Sequence, residues 1–197
     1  MGIKTRIASL ALVLVLLGSA EVRAQEWFWA AQYQAALSSG DTKDFTDQFS
    51  FRNFAVEGRA LLNDKMSAGL FLGWNVFNAE FDGTSSYSGV DIDGYQFRYV
   101  NAIPILATAH YYLGSGRGPQ AYLGVGVGTY YIENRLEMGL SALTDDNWHF
   151  GLAPEAGIML PPMANMATYL SVKYNWAFEA GGFEHTYWTF GIGLGGR

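Results

Sequence analysis

Residues 122–131 read Tyr-Leu-Gly-Val-Gly-Val-Gly-Thr-Tyr-Tyr and alternate without a break. Leu123, Val125, Val127 and Thr129 fall on one side; Tyr122, Gly124, Gly126, Gly128 and Tyr130 fall on the other. A period of two is the period of a β-strand, and here it sends apolar, mostly branched side chains to one face. The opposite face is nearly bare. Glycine weakens a strand unless something needs the space. A small closed barrel creates that need, because its lumen receives side chains from every wall. The same segment would also suit the core strand of a soluble protein, so the rest of the chain has to decide.

Seven further segments follow the same rule, at residues 27–37, 50–62, 65–78, 94–113, 148–160, 166–178 and 185–195, with the central strand running from 122 toward Arg135. In the first, Trp27, Trp29, Ala31, Tyr33, Ala35 and Leu37 share a face opposite Gln32 and Gln34. In the third, Met66, Ala68, Leu70, Leu72, Trp74 and Val76 oppose Ser67, Gly69, Phe71, Gly73 and Asn75. The last opposes Trp188, Phe190, Ile192 and Leu194 to Thr189, Gly191, Gly193 and Gly195. In the segment at 94–113, Asn101 on the apolar face and Pro104 predict a bulge or a break in register. The expected architecture is an all-β, eight-stranded antiparallel up-and-down transmembrane β-barrel.

The connections alternate in length. Asn63-Asp64, residues 114–118 and residues 161–165 are short; residues 38–49, 81–92 and 136–147 are longer, and 179–184 is intermediate. An even-stranded barrel with both termini on one side predicts that alternation, with short turns on the terminal side. A turn of helix is conceivable within 134–143. The distal connections and their flanks collect thirteen acids, among them Asp41, Asp44, Asp145, Asp146 and Glu184, against Lys43 and Arg135. That end is therefore acidic. It reads first as a solvated rim and second as a place for divalent cations shared with anionic lipid headgroups.

Residues 1–24 read as a signal peptide, with Lys4 and Arg6 before an apolar run at 7–17 and Val22-Arg23-Ala24 at the cleavage site. The run is too short for a transmembrane helix. Residues 25–197 then form one domain, the expected outer-membrane β-barrel. Losing the leader takes the formal net charge from -6 to -8, which argues against nucleic acid as a partner. There is no cysteine, which excludes disulfides and thiolate metal sites. Aromatic residues reach 16% while charged residues are only 15%. That balance suits a surface that faces lipid and is girdled by Trp and Tyr.

Five charges fall in the inward register: Glu57, Arg59, Arg98, Glu155 and Lys173. A buried charge must be paired. A cross-lumen ion-pair network is expected, with Arg59, Arg98 and Lys173 facing Glu57 and Glu155 and with Gln32, Gln34, Asn53 and Asn75 extending it. Such a network either fills a narrow barrel or acts as a gate. No catalytic residues are expected: there is no glycine-framed nucleophile elbow, and His110, His149 and His185 show no metal-ligand spacing. Histidines near strand ends read as interfacial aromatics. No cofactor and no metal is implied.

The leader, the first strand entering Ser38-Ser39-Gly40-Asp41, the segment 121–131 and the glycine-alternating last strand carry a resemblance over essentially the whole mature chain. The chain resembles the small Gram-negative outer-membrane β-barrels, the group around OmpW, OmpX and the transmembrane domain of OmpA. Members often carry Tyr, an apolar residue, Gly, a small residue and Gly, as Tyr122 to Gly126 do here. Members commonly end on an aromatic residue, whereas this chain ends Gly195-Gly196-Arg197. The resemblance implies the cell outer membrane with both mature termini periplasmic. It also implies lipid and lipopolysaccharide around the barrel and the outer-membrane assembly machinery as a partner. The expected role is a structural one in the envelope, with a largely side-chain-filled polar lumen. Passage of small, apolar molecules is the alternative, and a soluble secreted eight-stranded ligand-binding barrel is the second.

Overall fold

The computed structural model describes residues 26–87, 90–114, 118–138, 141–160 and 166–196. The expected leader at 1–24 and Pro161-Pro162 lie outside the described residues. The chain runs β1 (Trp27–Ser39), α1 (Gly40–Phe45), β2 (Phe49–Asn63), β3 (Met66–Tyr87), β4 (Val90–Leu113), β5 (Gln120–Met138), β6 (Ser141–Met159), β7 (Met166–Ala180) and β8 (Phe183–Gly196). Every strand pairs antiparallel with its sequence neighbour, and β8 closes on β1 from Trp29↔Gly196 to Ser39↔Thr186. Closure satisfies every strand edge within the ring, which is what a strand in lipid requires, since each open backbone group there costs several kcal/mol.

The two faces separate as the alternation demands. Trp29, Leu70 and Ile192 are 64%, 69% and 52% exposed, whereas their inward neighbours Gln32, Phe71 and Thr189 are buried. The outward set is an apolar belt. Such a surface is unsuited to water and suited to lipid. Trp27 and Trp29 stack at the terminal end, and Trp148, Trp176 and Trp188 stand toward the other.

The bare glycine face is explained by what occupies it. A Cβ on Gly124 would come within 2.5 Å of His110 Cδ2, on Gly157 within 2.5 Å of the Tyr122 hydroxyl, and on Gly193 within 2.7 Å of the Tyr169 hydroxyl. Glycine thus makes room for large inward side chains from adjacent strands. Phe28, Ala30, Ala167 and Tyr169 fill the terminal end of the lumen. A larger apolar cluster including Phe71, Phe77, Val100, Leu106, Tyr130, Ile132 and Tyr187 fills the middle. The interior is therefore mixed, not polar throughout.

Two expectations need correction. Residues 81–92 and 136–147 are not loops. The β3–β4 ladder continues to Tyr87↔Val90 and the β5–β6 ladder to Met138↔Ser141, with strand where a turn of helix was conceivable. Beyond Phe54↔Trp74 and Gly151↔Ala177, β2 and β7 no longer pair with this sheet, so β3 to β6 rise above the mouth on one side. Next, β4 has no register break: its pairing with β5 is continuous from Phe97↔Glu137 to Leu113↔Ala121, and with β3 the same register holds on both sides of Pro104. Pro104 points inward against Gly73, whose missing side chain accommodates the ring. The 38–49 connection joins β1 to β2 as expected and contains α1, which is tied to β8 through Thr42.

Candidate functional site

The ion pairs form from two rows of inward residues. One row runs Arg59–Gly69–Thr108 across β2, β3 and β4. The other runs His110–Gly124–Glu155–Lys173 across β4, β5, β6 and β7. Gly124 leaves a gap that the His110 ring enters, and Gly69 lets the β2 backbone at Gly58 and Arg59 come close. Glu57 lies two residues before Arg59, hence on the same face, and its carboxylate is 2.7 Å from the guanidinium.

Lys173 Nζ is 3.1 Å from Glu155, its partner on the neighbouring strand, and Arg59 reaches the same carboxylate across the lumen at 3.8 Å. His110 Nε2 stands between the two acids, 3.6 Å from Glu57 and 3.9 Å from Glu155. Thr108 donates to Glu57 at 2.9 Å, and Tyr122 donates to Glu155 at 2.7 Å. The Arg59 guanidinium lies 5.2 Å and 5.5 Å from the ring centres of Tyr122 and Tyr169, and Lys173 Nζ is 3.2 Å from that of Phe71. Glu57, Arg59, Glu155 and Lys173 are all buried. Two carboxylates balance two cations, and hydroxyl donors and aromatic faces take part of the remaining capacity, while Arg59 Nε, Lys173 Nζ and both His110 nitrogens make no hydrogen bond among the described residues. In a buried set of this kind the pairing of opposite charges offsets the cost of burying each one.

Arg98 lies apart from this cluster. It sits opposite Ala79 toward the outer end of β4, donates to Gln96 Oε1 at 3.1 Å, and lies over the rings of Phe81 and Phe45. The four amides make their own links. Gln34 donates to Gln32 at 3.0 Å, Asn53 bonds the Gln34 carbonyl and the Val76 N–H, and Asn75 donates to Tyr187. Sequence reasoning missed His110, Thr108 and Tyr122 as members of the cluster, and Tyr112, whose hydroxyl accepts from Arg59 Nη1 at 3.4 Å. The parity that makes Arg98 inward also makes Thr108, His110 and Tyr112 inward; the expected break at Pro104 concealed it.

A second constellation occupies the outer mouth. His149 and His185 are not interfacial aromatics; both are buried inside, edge to face with ring centres 5.2 Å apart. Thr42 of α1 sits 3.2 Å from His185 Nδ1 and accepts the Thr186 N–H at 3.0 Å. Thr186 in turn donates to the Ser39 carbonyl at 2.9 Å. These bonds hold α1 to β8. Among the described residues, no three His, Asp or Glu side chains are grouped to hold a metal ion.

The closed ring, the apolar belt and the plugged lumen define an eight-stranded transmembrane β-barrel. Solved outer-membrane barrels share this architecture. Neisserial surface protein A superposes with a TM-score of 0.59 at 13% identity, covering 89% of this chain and 99% of that one. A major outer membrane protein from Thermus thermophilus gives 0.56 at 13% identity over 87% and 99% of the two chains. Outer membrane protein W of E. coli gives 0.50 at 17% identity over 89% and 99%. The chain has the fold of the small outer-membrane barrels. No protein-family model and no curated protein matches its sequence.

Proposed function

We propose that this chain is a structural barrel of the outer membrane, closed to water along its axis, with both mature termini in the periplasm. The observation that carries this reading is the buried cluster of Glu57, Arg59, Glu155 and Lys173 within a lumen otherwise packed with rings, aliphatic side chains and buried amides. Eight strands enclose a space just wide enough for side chains to fill. Residues 1–24 act as the export signal. The barrel depends on the outer-membrane assembly machinery, and its belt faces lipid and lipopolysaccharide. Divalent cations at the acidic rim bridge single carboxylates to lipid phosphates. Planar-bilayer recordings test the closed lumen: reconstituted protein is expected to show no conductance above the bare membrane, and a sustained pore current would refute the reading.

One observation favours a second role, passage of small apolar molecules. The β6–β7 ladder skips Ala153 and Pro154 and resumes at Glu155↔Lys173 in the same register. Proline lacks the N–H that a ladder needs, so the wall lacks ladder bonds there. Uptake of an apolar dye into proteoliposomes, lowered by Pro154→Val, would support lateral passage. Uptake equal to that of empty liposomes leaves the structural role.

A further inference from the structure

The hydrogen bonds of the outer mouth fix the protonation state of His185. α1 meets β8 through Thr42, the buried residue of the helix. The Thr42 hydroxyl oxygen accepts the Thr186 N–H at 3.0 Å, which leaves its own proton to donate to His185 Nδ1, 3.2 Å away. A ring nitrogen that accepts carries no proton, so the neutral ring holds its proton on Nε2. The Asn134 side-chain amide meets Nε2 at 3.3 Å. With Oδ1 turned to the ring, Asn134 accepts that proton, and the oxygen gains the partner it otherwise lacks. The neutral ring thus serves Thr42 and Asn134 together.

A second proton breaks this pattern. Placed on Nδ1, it makes that atom a donor. Thr42 Oγ1 must then receive two N–H groups, from His185 and from Thr186, and its own proton loses its acceptor. The new charge also lacks a counterion. His185 and His149 are both buried, edge to face, and the only histidine ion pairs among the described residues are those of His110 in the lumen cluster. The charged and titratable groups around the ring are Asp41 and Asp44 on α1, Arg98 on β4 and Glu184 on β8, which line the outer cavity with it, and His149 on β6. Ser39 on β1, Asn134 on β5 and Ala177 on β7 do not titrate. Farther out, Asp145 on β6 accepts from Asn147 at 3.4 Å, and Glu179 on β7 is exposed. Burial, and then the neighbouring His149, lower the pKa of His185, which lies in the outer mouth beyond Trp188, to about 4.

Once α1 lifts off β8, the ring meets water and takes a proton at the ordinary histidine value of about 6.5. The released state therefore binds the proton at a higher pH than the docked state. Docking is at full strength above about pH 6.5, weakens by about tenfold per unit as pH falls from there, and levels off below about 4. We propose that His185 is the pin of an acid-released latch: the neutral ring holds α1 to β8 through Thr42, and protonation lets α1 go. Asp41, Asp44 and Phe45 of α1 wall the outer cavity, so release opens that cavity to the exterior.

The test is hydrogen exchange at the Thr186 amide, which loses its acceptor when Thr42 leaves. It is measured on the membrane-extracted protein in lipid nanodiscs at pH 7.5 and pH 5.0, with rates corrected for the intrinsic effect of pH. Protection of Thr186 is expected to fall by about twentyfold to thirtyfold at the lower pH. Protection of Thr189, within the belt on the same strand, should hold. His185→Asn keeps an acceptor near the Nδ1 position and cannot titrate, so Thr186 should be equally protected at both pH values. Ring nitrogen NMR signals of His185 give a second readout on the unaltered protein. Nδ1 should be bare at pH 7.5 and gain its proton over the range in which Thr186 loses protection. Equal protection of Thr186 at both pH values in the unaltered chain, the same acid-induced loss in His185→Asn, or a ring that charges while Thr186 stays protected would each overturn the latch. The second of these results would place the response in the carboxylates of α1 and Glu184.

Discussion

At the scale of single residues, the barrel is decided by pairs that complete one another across the lumen. Removing Lys173 leaves Glu155 with the more distant Arg59 as its cation within the cluster. Lys173→Met is therefore expected to cost about 3–5 kcal/mol of stability, measured by urea unfolding in detergent micelles. Adding Glu155→Leu should recover most of that loss, because the remaining Glu57–Arg59 pair at 2.7 Å is still balanced. If the double variant is no more stable than the single one, the cluster is not the coupled set described. Glycine carries a different kind of constraint. Gly193→Ala pushes a methyl group into the Tyr169 ring and is expected to cost about 1–3 kcal/mol by the same assay. Combining it with Tyr169→Leu should restore much of the loss. The inward charges were legible because parity and charge together left them one place to go. His110 was not, since a proline six residues earlier in the same strand suggested a break that Gly73 in fact absorbs.

At the scale of elements, the strand centres and the extensions obey different physics. In the bilayer one face of each strand must be apolar, so the alternation is plain in the sequence. Above the bilayer β3 to β6 continue for several residues in a setting where neither face is required to be apolar. Ser-, Gly- and Asp-rich sequence there reads as loop, although the backbone continues its ladder. The six-residue α1 likewise has too few turns for an apolar stripe. The β7–β8 connection is simpler: Gly181 and Gly182 have φ of +64° and +90°, which glycine adopts without strain in a two-residue hairpin turn. Removing equal lengths from both sides of the β3–β4 tip preserves the pairing below. Deletion of residues 82–95 with a two-residue Asn-Gly turn inserted should therefore leave the barrel folded, judged by β-sheet circular dichroism and protease resistance of the remainder. Loss of fold in that variant would mean that the extension, and not the belt, organises the wall.

At the scale of the whole molecule, sequence and structure agree on a chain turned outside in. Apolar side chains face outward, charges and glycines face inward, and the ring closes without an open edge among its membrane strands. This inversion separates a membrane barrel from a secreted carrier, which would place its apolar face around a ligand and its charge in water. A closed hydrogen-bonded ring also resists detergent, because no strand can leave without exposing paired backbone on both sides. The most direct measurement is the electrophoretic mobility of the membrane-extracted protein in mild SDS, boiled against unboiled. The unboiled protein is predicted to migrate as a compact folded species and to shift on boiling. Identical mobility in both lanes, from a protein recovered in soluble form, would contradict the account and place the apolar belt on the inside of a soluble barrel.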